Sequence, residues 1–245
     1  MIAKTIVITR ALGDDGELRQ ALQEYGYNVI HEPTTEIFLH HTARAGLELA
    51  LLDEPDAVLL TSVHGARALA LLTELRDVFL LCVGQKTADV AMELGFHRVC
   101  MAGENVERMM DYIASAYDDA ARFLYVSGAH ISVDIGASLA SLGMEFSRVV
   151  AYEAVAMDAI SDTLSEQLRR GQIDAITFFS SRTAEIFLAL ADEQNLLPYL
   201  EKIDAFCLSE KVAAIAAKTN WKSISCAPEP TLVSLVADVN NACAL

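Results

Sequence analysis

The sequence predicts an α/β protein made of two similar doubly wound parallel-sheet domains. Three observations carry that prediction. Short Val/Ile/Leu-rich runs alternate with amphipathic segments almost from end to end. The runs are apolar throughout instead of on every second residue, as strands covered on both faces require. One stretch of the chain also echoes another: "DAVLLTSVHGARALALL" (56–72) matches "DAITFFSSRTAEIFLAL" (174–190), with Ser180 − Ser62 giving an offset of 118.

Taken in order, the expected strands are "TIVITR" (5–10), "NVIHE" (28–32), "AVLLTS" (57–62), "VFLLCVG" (78–84), "RVCMAG" (98–103) and "RFLYVSG" (122–128). They continue with "SRVVAYEAV" (147–155), "AITFFS" (175–180), "DAFCLS" (204–209) and "SISCA" (223–227). Each is β-branched or aromatic enough, and short enough, for a buried strand. Between them, "GELRQALQEYG", "KTADVAMELG", "VERMMDYIASAY" and "DTLSEQLRRG" carry helical spacing. Gly26, Gly95, Gly143 and Gly171 stand where helices should stop.

The echo continues from 82–110 to 207–236, where Lys211 − Lys86 gives 125. The strands are split unevenly between the two repeats, and the two N-terminal strands would complete the second set. The expected division is therefore a discontinuous domain of residues 1–34 plus 156–245, and an inserted domain of 41–149. The chain should cross between them at 35–40 ("TEIFLH") and 150–155 ("VAYEAV"), both rich in β-formers and read as a two-stranded antiparallel linker.

Composition narrows the function. A chain of 245 residues that is 53% hydrophobic and 21% charged has a core to bury and does not read as disordered. Its N-terminus has no leader-like apolar run with a small-residue cleavage site, and no run approaches membrane-spanning length, so a cytoplasmic protein without a membrane partner is expected. A net charge of −16 argues against a general nucleic-acid surface, though a local pocket of N–H donors still suits a small anion. Five cysteines without a C-x-x-C pair read as small buried hydrophobes of a reducing compartment.

In open parallel sheets, ligands sit beyond the carboxyl ends of the strands. The residues there form one chemical set: Thr9 and Arg10; Thr61, Ser62 and His64; Gly84, Lys86 and Thr87; Ser127, Gly128 and Ala129. From the other repeat come Ser180, Ser181, Arg182, Ser209 and Lys211. Such hydroxyls cap helices and do no more in most proteins; a ring of them across two repeats also reads as an anion site. No G-x-G-x-x-G, phosphate-loop or H-E-x-x-H pattern occurs, nor G-x-S-x-G. Neither a cofactor nor a metal is therefore expected. His31, His40 and His41 read as surface or linker histidines.

With these motifs in view, the chain resembles the uroporphyrinogen-III synthase family over nearly its full length. The resemblance rests on "VITR" (7–10), "LLTSVHGARAL" (59–69), "VGQKTADVAMELGF" (83–96), "YEA" (152–154), "FFSSRTAEIF" (178–187) and "SEKVAAIA" (209–216). His64 stands where the family usually carries Asn, and Ser209 to Ala213 replaces a Gly-x-x-Thr-Ala-like turn. The resemblance implies two flavodoxin-like lobes that close the linear tetrapyrrole hydroxymethylbilane with inversion of its last ring. It implies that Tyr152 is the catalytic acid and that the strand-end set above binds the substrate's carboxylates. It further implies a monomer, with room for a transient contact to the enzyme of the preceding step. Two other classes stay open on sequence alone: a non-catalytic two-lobed binding protein for a small polyanion, and a cofactor-using transferase.

Overall fold

The structure is a computed structural model that describes residues 3–131 and 133–243. The chain forms two compact units, Met1–Glu36 with Val155–Leu245, and Ile37–Ala154. It opens with β1 (Thr5–Ile8), α1 (Gly16–Glu24), β2 (Asn28–His31) and β3 (Thr35–Leu39). Next come α2 (Ala43–Leu52), β4 (Ala57–Leu60), α3 (Val63–Leu72), β5 (Phe79–Val83), α4 (Gln85–Glu93) and β6 (Arg98–Gly103). Then follow α5 (Val106–Ala116), β7 (Arg122–Gly128), α6 (Ile135–Ser141) and β8 (Glu145–Ala156). The last stretch holds α7 (Asp162–Arg169), β9 (Ala175–Phe178), α8 (Ser181–Glu193), α9 (Leu197–Leu200), β10 (Asp204–Cys207), α10 (Glu210–Ala216), β11 (Ser223–Cys226) and α11 (Leu232–Cys243).

In the first unit the sheet order is β11-β10-β9-β1-β2, with every neighbouring pair parallel. Read from the β2 edge and counted along the chain, that is second, first, third, fourth, fifth, the flavodoxin-like order. The second unit has the order β3-β8-β7-β4-β5-β6. From β8 to β6 this is the same arrangement, provided β7 is counted as its first strand. The repeat is thus cyclically permuted: β4, β5 and β6 correspond to β9, β10 and β11, while β7 and β8 correspond to β1 and β2. That permutation is why the sequence repeat covers only part of each unit.

Each sheet separates two apolar layers, because alternate residues of a strand face opposite ways. In the first unit, Ile6 and Ile8 pack with Leu18, Leu22 and Val239, whereas Val7 packs with Ile176, Phe178 and Phe187. In the second, Val58 and Leu60 pack with Leu69 and Leu72, and Ala57 and Leu59 pack with Met109 and Ile113. The helices end at the expected glycines: Gly26, Gly95, Gly143 and Gly171 have φ of 84°, 89°, 79° and 65°, where a side chain would be strained. Cys82 and Cys207 are fully buried, and burial pushes both thiols up to about 12; Cys100 and Cys226 are half-buried.

One expectation changes. The strands expected to run through Arg10, Ser62, Ser180 and Ser209 stop two residues sooner, at Ile8, Leu60, Phe178 and Cys207. Ser62, Ser180 and Ser209 leave the ladder to become the N-caps of α3, α8 and α10. The two segments read as linker strands lie side by side, β3 next to β8 at one edge of the six-stranded sheet, and the boundary between the two units falls within both strands. His40 N–H donates to the Ala151 carbonyl there (2.8 Å). No helix among the described residues is long and apolar enough to cross a membrane.

Phe187 lies edge-on to Phe178 at 5.5 Å, and Phe178 in turn to Trp221 at 5.8 Å. Phe187→Ala is expected to cost about 3–5 kcal/mol of stability, the usual loss for a buried aromatic. Urea unfolding read by fluorescence of Trp221, the single tryptophan of the chain, checks this. A loss below about 1 kcal/mol would mean that this aromatic stack does not hold the layer together.

Candidate active site

In a sheet of this order the connections reverse direction between the first and third strands, and a crevice opens beyond their carboxyl ends. In the second unit those strands are β7 and β4. β4 delivers Thr61 and Ser62, and β7 delivers Ser127 and Gly128. The neighbouring β8 brings in Tyr152 through a break in register. β7 and β8 run in step from Arg122 opposite Glu145 to Ser127 opposite Val150, and then slip so that Gly128 faces Tyr152. Ala151 is the extra residue of a β-bulge.

Strict alternation would put Tyr152 on the same face as Phe146, which packs with Phe123 and Met109. The bulge instead places its ring with Val149, Ala151 and Leu69, on the face that carries α3. There the Tyr152 hydroxyl lies 2.7 Å from Ser62 Oγ. The ring crowds the strand backbone so closely that a Cβ on Gly128 would stand 2.8 Å from Tyr152 Cε2. Ala129 N–H donates to the Tyr152 carbonyl at 2.9 Å and closes the end of the pairing. Burial pushes the Tyr152 phenol above the ordinary tyrosine range; hydrogen bonds from Ser62 and the Gly128 backbone oppose that rise without cancelling it.

Around this pair the predicted residues take distinct places. Ser62 caps α3 through the Gly65 N–H (3.4 Å), and the His64 ring lies 5.8 Å from that of Tyr152. Thr61 Oγ1 meets the Tyr125 hydroxyl at 2.8 Å. Gly84 is the N-cap of α4, with Lys86 exposed and Thr87 buried in the first turn. Ser127 is buried, so its role as a direct ligand contact is corrected: its hydroxyl donates to the Gly128 carbonyl and accepts from Arg148. Thr87 is likewise buried.

The carboxyl ends of the first unit repeat the arrangement without a tyrosine. Thr9 is fully buried and donates to the Thr177 carbonyl at 2.7 Å, so it ties β1 to β9 and is withdrawn from the binding set. Arg10 stacks on Phe179, 4.6 Å from its ring centre. Ser180 caps α8 through the Thr183 N–H at 3.1 Å, with Ser181 half-buried and Arg182 exposed in the first turn. Ser209 begins α10 without a side-chain cap bond, beside the exposed Lys211. His31 is not a surface residue. Its side chain is half-buried, 2.9 Å from the Arg10 carbonyl and 3.3 Å from Asp15. Burial would raise the Asp15 carboxyl, yet the Arg19 hydrogen bond and the charge of His31 hold it below its usual value.

Three residues of the second unit were missed from sequence. Arg148 Nε donates to Ser127 Oγ at 2.8 Å, and its Nη2 donates to the carbonyls of Gly128 (2.8 Å) and Ala129 (3.2 Å). Glu153 faces His40 at 3.8 Å and His130 at 3.6 Å. Tyr125 was read only as strand filler. A lone Arg in an otherwise apolar run, four residues before Tyr152, was the available signal. Among the described residues no three His, Cys, Asp or Glu side chains are grouped so as to hold a metal ion. Three surface cavities of about 310, 330 and 420 Å³ lie elsewhere, and none is lined by Ser62, Gly128 or Tyr152.

The chain matches the family model for uroporphyrinogen-III synthase HemD over residues 16–237. A relative, the porphyrin biosynthesis protein HemD of Ruminiclostridium josui, is 26% identical across 256 aligned residues, which cover 94% of this chain and 47% of the relative. The chain thus spans about half the length of that curated relative. Among solved structures, uroporphyrinogen-III synthetase of Helicobacter pylori gives a TM-score of 0.63 at 14% identity, covering 98% of this chain and 100% of the other. A mutant uroporphyrinogen III synthase of Thermus thermophilus gives 0.57 at 17% identity, covering 98% and 99%. At these identities the two structures establish a shared fold. The match to the family model covers most of the chain, and the chain belongs to the uroporphyrinogen-III synthase family.

The crowding at Gly128 has a measurable cost. Gly128→Ala is expected to lose about 1–3 kcal/mol, as overpacked sites do. Tyr152→Ala in the same chain is expected to return most of that loss, because it removes the clashing ring. Urea unfolding of both single variants and the double variant reads the coupling. Additive losses would show that the ring does not press on the strand end.

Proposed function

We propose that this family member catalyses ring closure of hydroxymethylbilane with inversion of the last pyrrole ring and loss of water, giving uroporphyrinogen III. The observation that carries the proposal is the Tyr152 hydroxyl, half-buried and 2.7 Å from Ser62 Oγ at the switch point of a chain that matches the family over residues 16–237. The relative's name, a porphyrin biosynthesis protein, supports the same reading.

Departure of the substrate hydroxyl as water needs one proton, and the electrons come from a pyrrole nitrogen lone pair. Tyr152 supplies the proton. The Ser62 oxygen accepts the Gly65 N–H in the cap, which leaves its own hydrogen free to donate to the phenol oxygen. The phenol proton then points away from Ser62, toward the departing oxygen. Burial keeps the phenol protonated well past neutral pH, so the acid form is the resting form. The azafulvenium cation is attacked by the ring carbon that already bears its side chain, forming a spiro intermediate that fragments and recloses. Loss of a ring proton restores aromaticity and returns a proton to the tyrosinate.

Holding the bilane so that the hindered carbon attacks first is a task of position. The polycarboxylate substrate is met by the positive N-terminal ends of α3 and α4, with His64 and Lys86 beside them. Ser180, Ser181, Arg182, Ser209, Lys211 and Arg10 offer the same chemistry at the strand ends of the first unit. Binding through many backbone donors makes each single hydroxyl worth about 0.5–1.5 kcal/mol.

Incubation with enzymatically generated hydroxymethylbilane, followed by separation of the type I and type III products, tests the proposal. Type III is expected; spontaneous type I alone would leave a non-catalytic polyanion binder. Tyr152→Phe is expected to slow type III formation at least about tenfold with unchanged thermal stability, since an assisting acid is worth about 10²–10⁴-fold. Near-native turnover in this variant would assign Tyr152 a packing role. Ser62→Ala is expected to lose only about two- to tenfold, and complete loss of turnover in a folded protein would contradict binding spread over many donors.

A further inference from the structure

The geometry points to Arg148 as a positioning residue that fixes the β7–β8 bulge and so aims Tyr152 at Ser62; the inference rests on the catalytic reading of Tyr152. Arg148 lies before the slip, paired in register with Tyr125, and it reaches forward along β7 to residues on both sides of the slip. Its guanidinium bridges Ser127 Oγ and the carbonyls of Gly128 and Ala129 at 2.8, 2.8 and 3.2 Å. These are the three residues whose backbone defines where the Tyr152 ring comes to rest. Gly128 takes the ring at a distance that tolerates no methyl group, and Ala129 N–H holds the Tyr152 carbonyl.

A bulge by itself leaves carbonyls without ladder partners, and such a strand end relaxes easily. The planar fork of arginine answers this with donors in a fixed geometry. Ser127 completes the arrangement, since its hydroxyl accepts from Arg148 Nε while donating to the Gly128 carbonyl at 3.0 Å. A lysine keeps the charge and loses the fork. It is therefore expected to hold one of these acceptors and release the others.

The consequence for turnover follows from how steeply a proton transfer depends on alignment. A misplacement of about 1 Å near the reacting groups costs on the order of 10²-fold. Arg148→Ala and Arg148→Lys are each expected to lower kcat for type III product by about tenfold or more, with KM changed less than about threefold. The share of type I product should rise, because bilane that is not turned over loses its hydroxyl and closes spontaneously without inversion. In a Tyr152→Phe background the same substitutions should add little, as expected of two residues that act through one hydroxyl.

A second readout needs no turnover. Burial of the ring is the chief reason that the phenol ionises late, so a relaxed strand end should bring its ionisation back toward the ordinary tyrosine range. Absorbance titration near 295 nm of each protein minus its own Tyr152→Phe counterpart isolates that one phenol. The expected result is an earlier ionisation in Arg148→Ala than in the wild type, with Arg148→Lys between the two. Native kcat in a folded Arg148→Ala protein overturns the inference, and so does a rise in KM alone, which would make Arg148 a substrate ligand. An unshifted Tyr152 titration overturns it as well. If the wild-type chain forms no type III product, the catalytic reading fails while the titration still decides whether Arg148 positions Tyr152.

Discussion

The site depends on a register slip of one residue between β7 and β8. Because side chains alternate across a sheet, inserting Ala151 opposite the Ser127–Gly128 step turns Tyr152 from one face to the other. On the face it leaves, its neighbours would be Phe146 and Met109; on the face it joins, they are Leu69 and the start of α3. Ser62 lies within hydrogen-bond distance only on that second face. Absence of a side chain at Gly128 is the matching requirement, since the ring occupies the place of any Cβ there. The closed end of β7 and the late-ionising phenol both follow from this one irregularity.

The two units show how a repeated scaffold acquires one specialised end. Both place a Thr or Phe and then a Ser after the strand that follows the switch, and both use that Ser as an N-cap. Both put a Lys in the first turn of the helix after the next strand, Lys86 after β5 in one and Lys211 after β10 in the other. The difference lies in the first and second strands of each sheet. In the second unit they carry Gly128, the last residue of β7, and the bulged Tyr152 within β8; in the first they carry Thr9, just past β1, and His31, the last residue of β2. Thr9 spends its hydroxyl on the Thr177 carbonyl, and His31 bonds the Arg10 carbonyl. The first unit thus uses its switch point to join strands, while the second leaves a polar hydroxyl pair there.

Much of this was legible in the sequence because the signals were local. Continuous apolar runs give buried parallel strands, and glycines at positive φ give helix ends. The serine pair separated by 118 residues marked equivalent caps. What stayed hidden was longer in range. The cyclic permutation depends on strand order, which no local pattern encodes, so the place of β3 at the edge of a six-stranded sheet went unread. Thr9, Thr87 and Ser127 were grouped with the ligand-facing residues because chain position shows a strand end but not which way a side chain turns. Arg148 was passed over for a related reason: its partners are three strand-end atoms some twenty residues back. A bulge has no composition of its own, so the face of Tyr152 could be read only from the pairing.

The central claim is that the Tyr152 hydroxyl delivers a proton to a departing oxygen. The most direct measurement compares two substrates in wild type and Tyr152→Phe: hydroxymethylbilane, and an acyloxymethyl analogue whose carboxylate leaves without a proton. Type III formation above the spontaneous background is the quantity to follow. The account expects the variant's deficit, about tenfold or more on the hydroxyl substrate, to shrink to about twofold or less on the analogue. An equal deficit on both substrates would contradict it, and would show that the phenol shapes the site without giving up its proton.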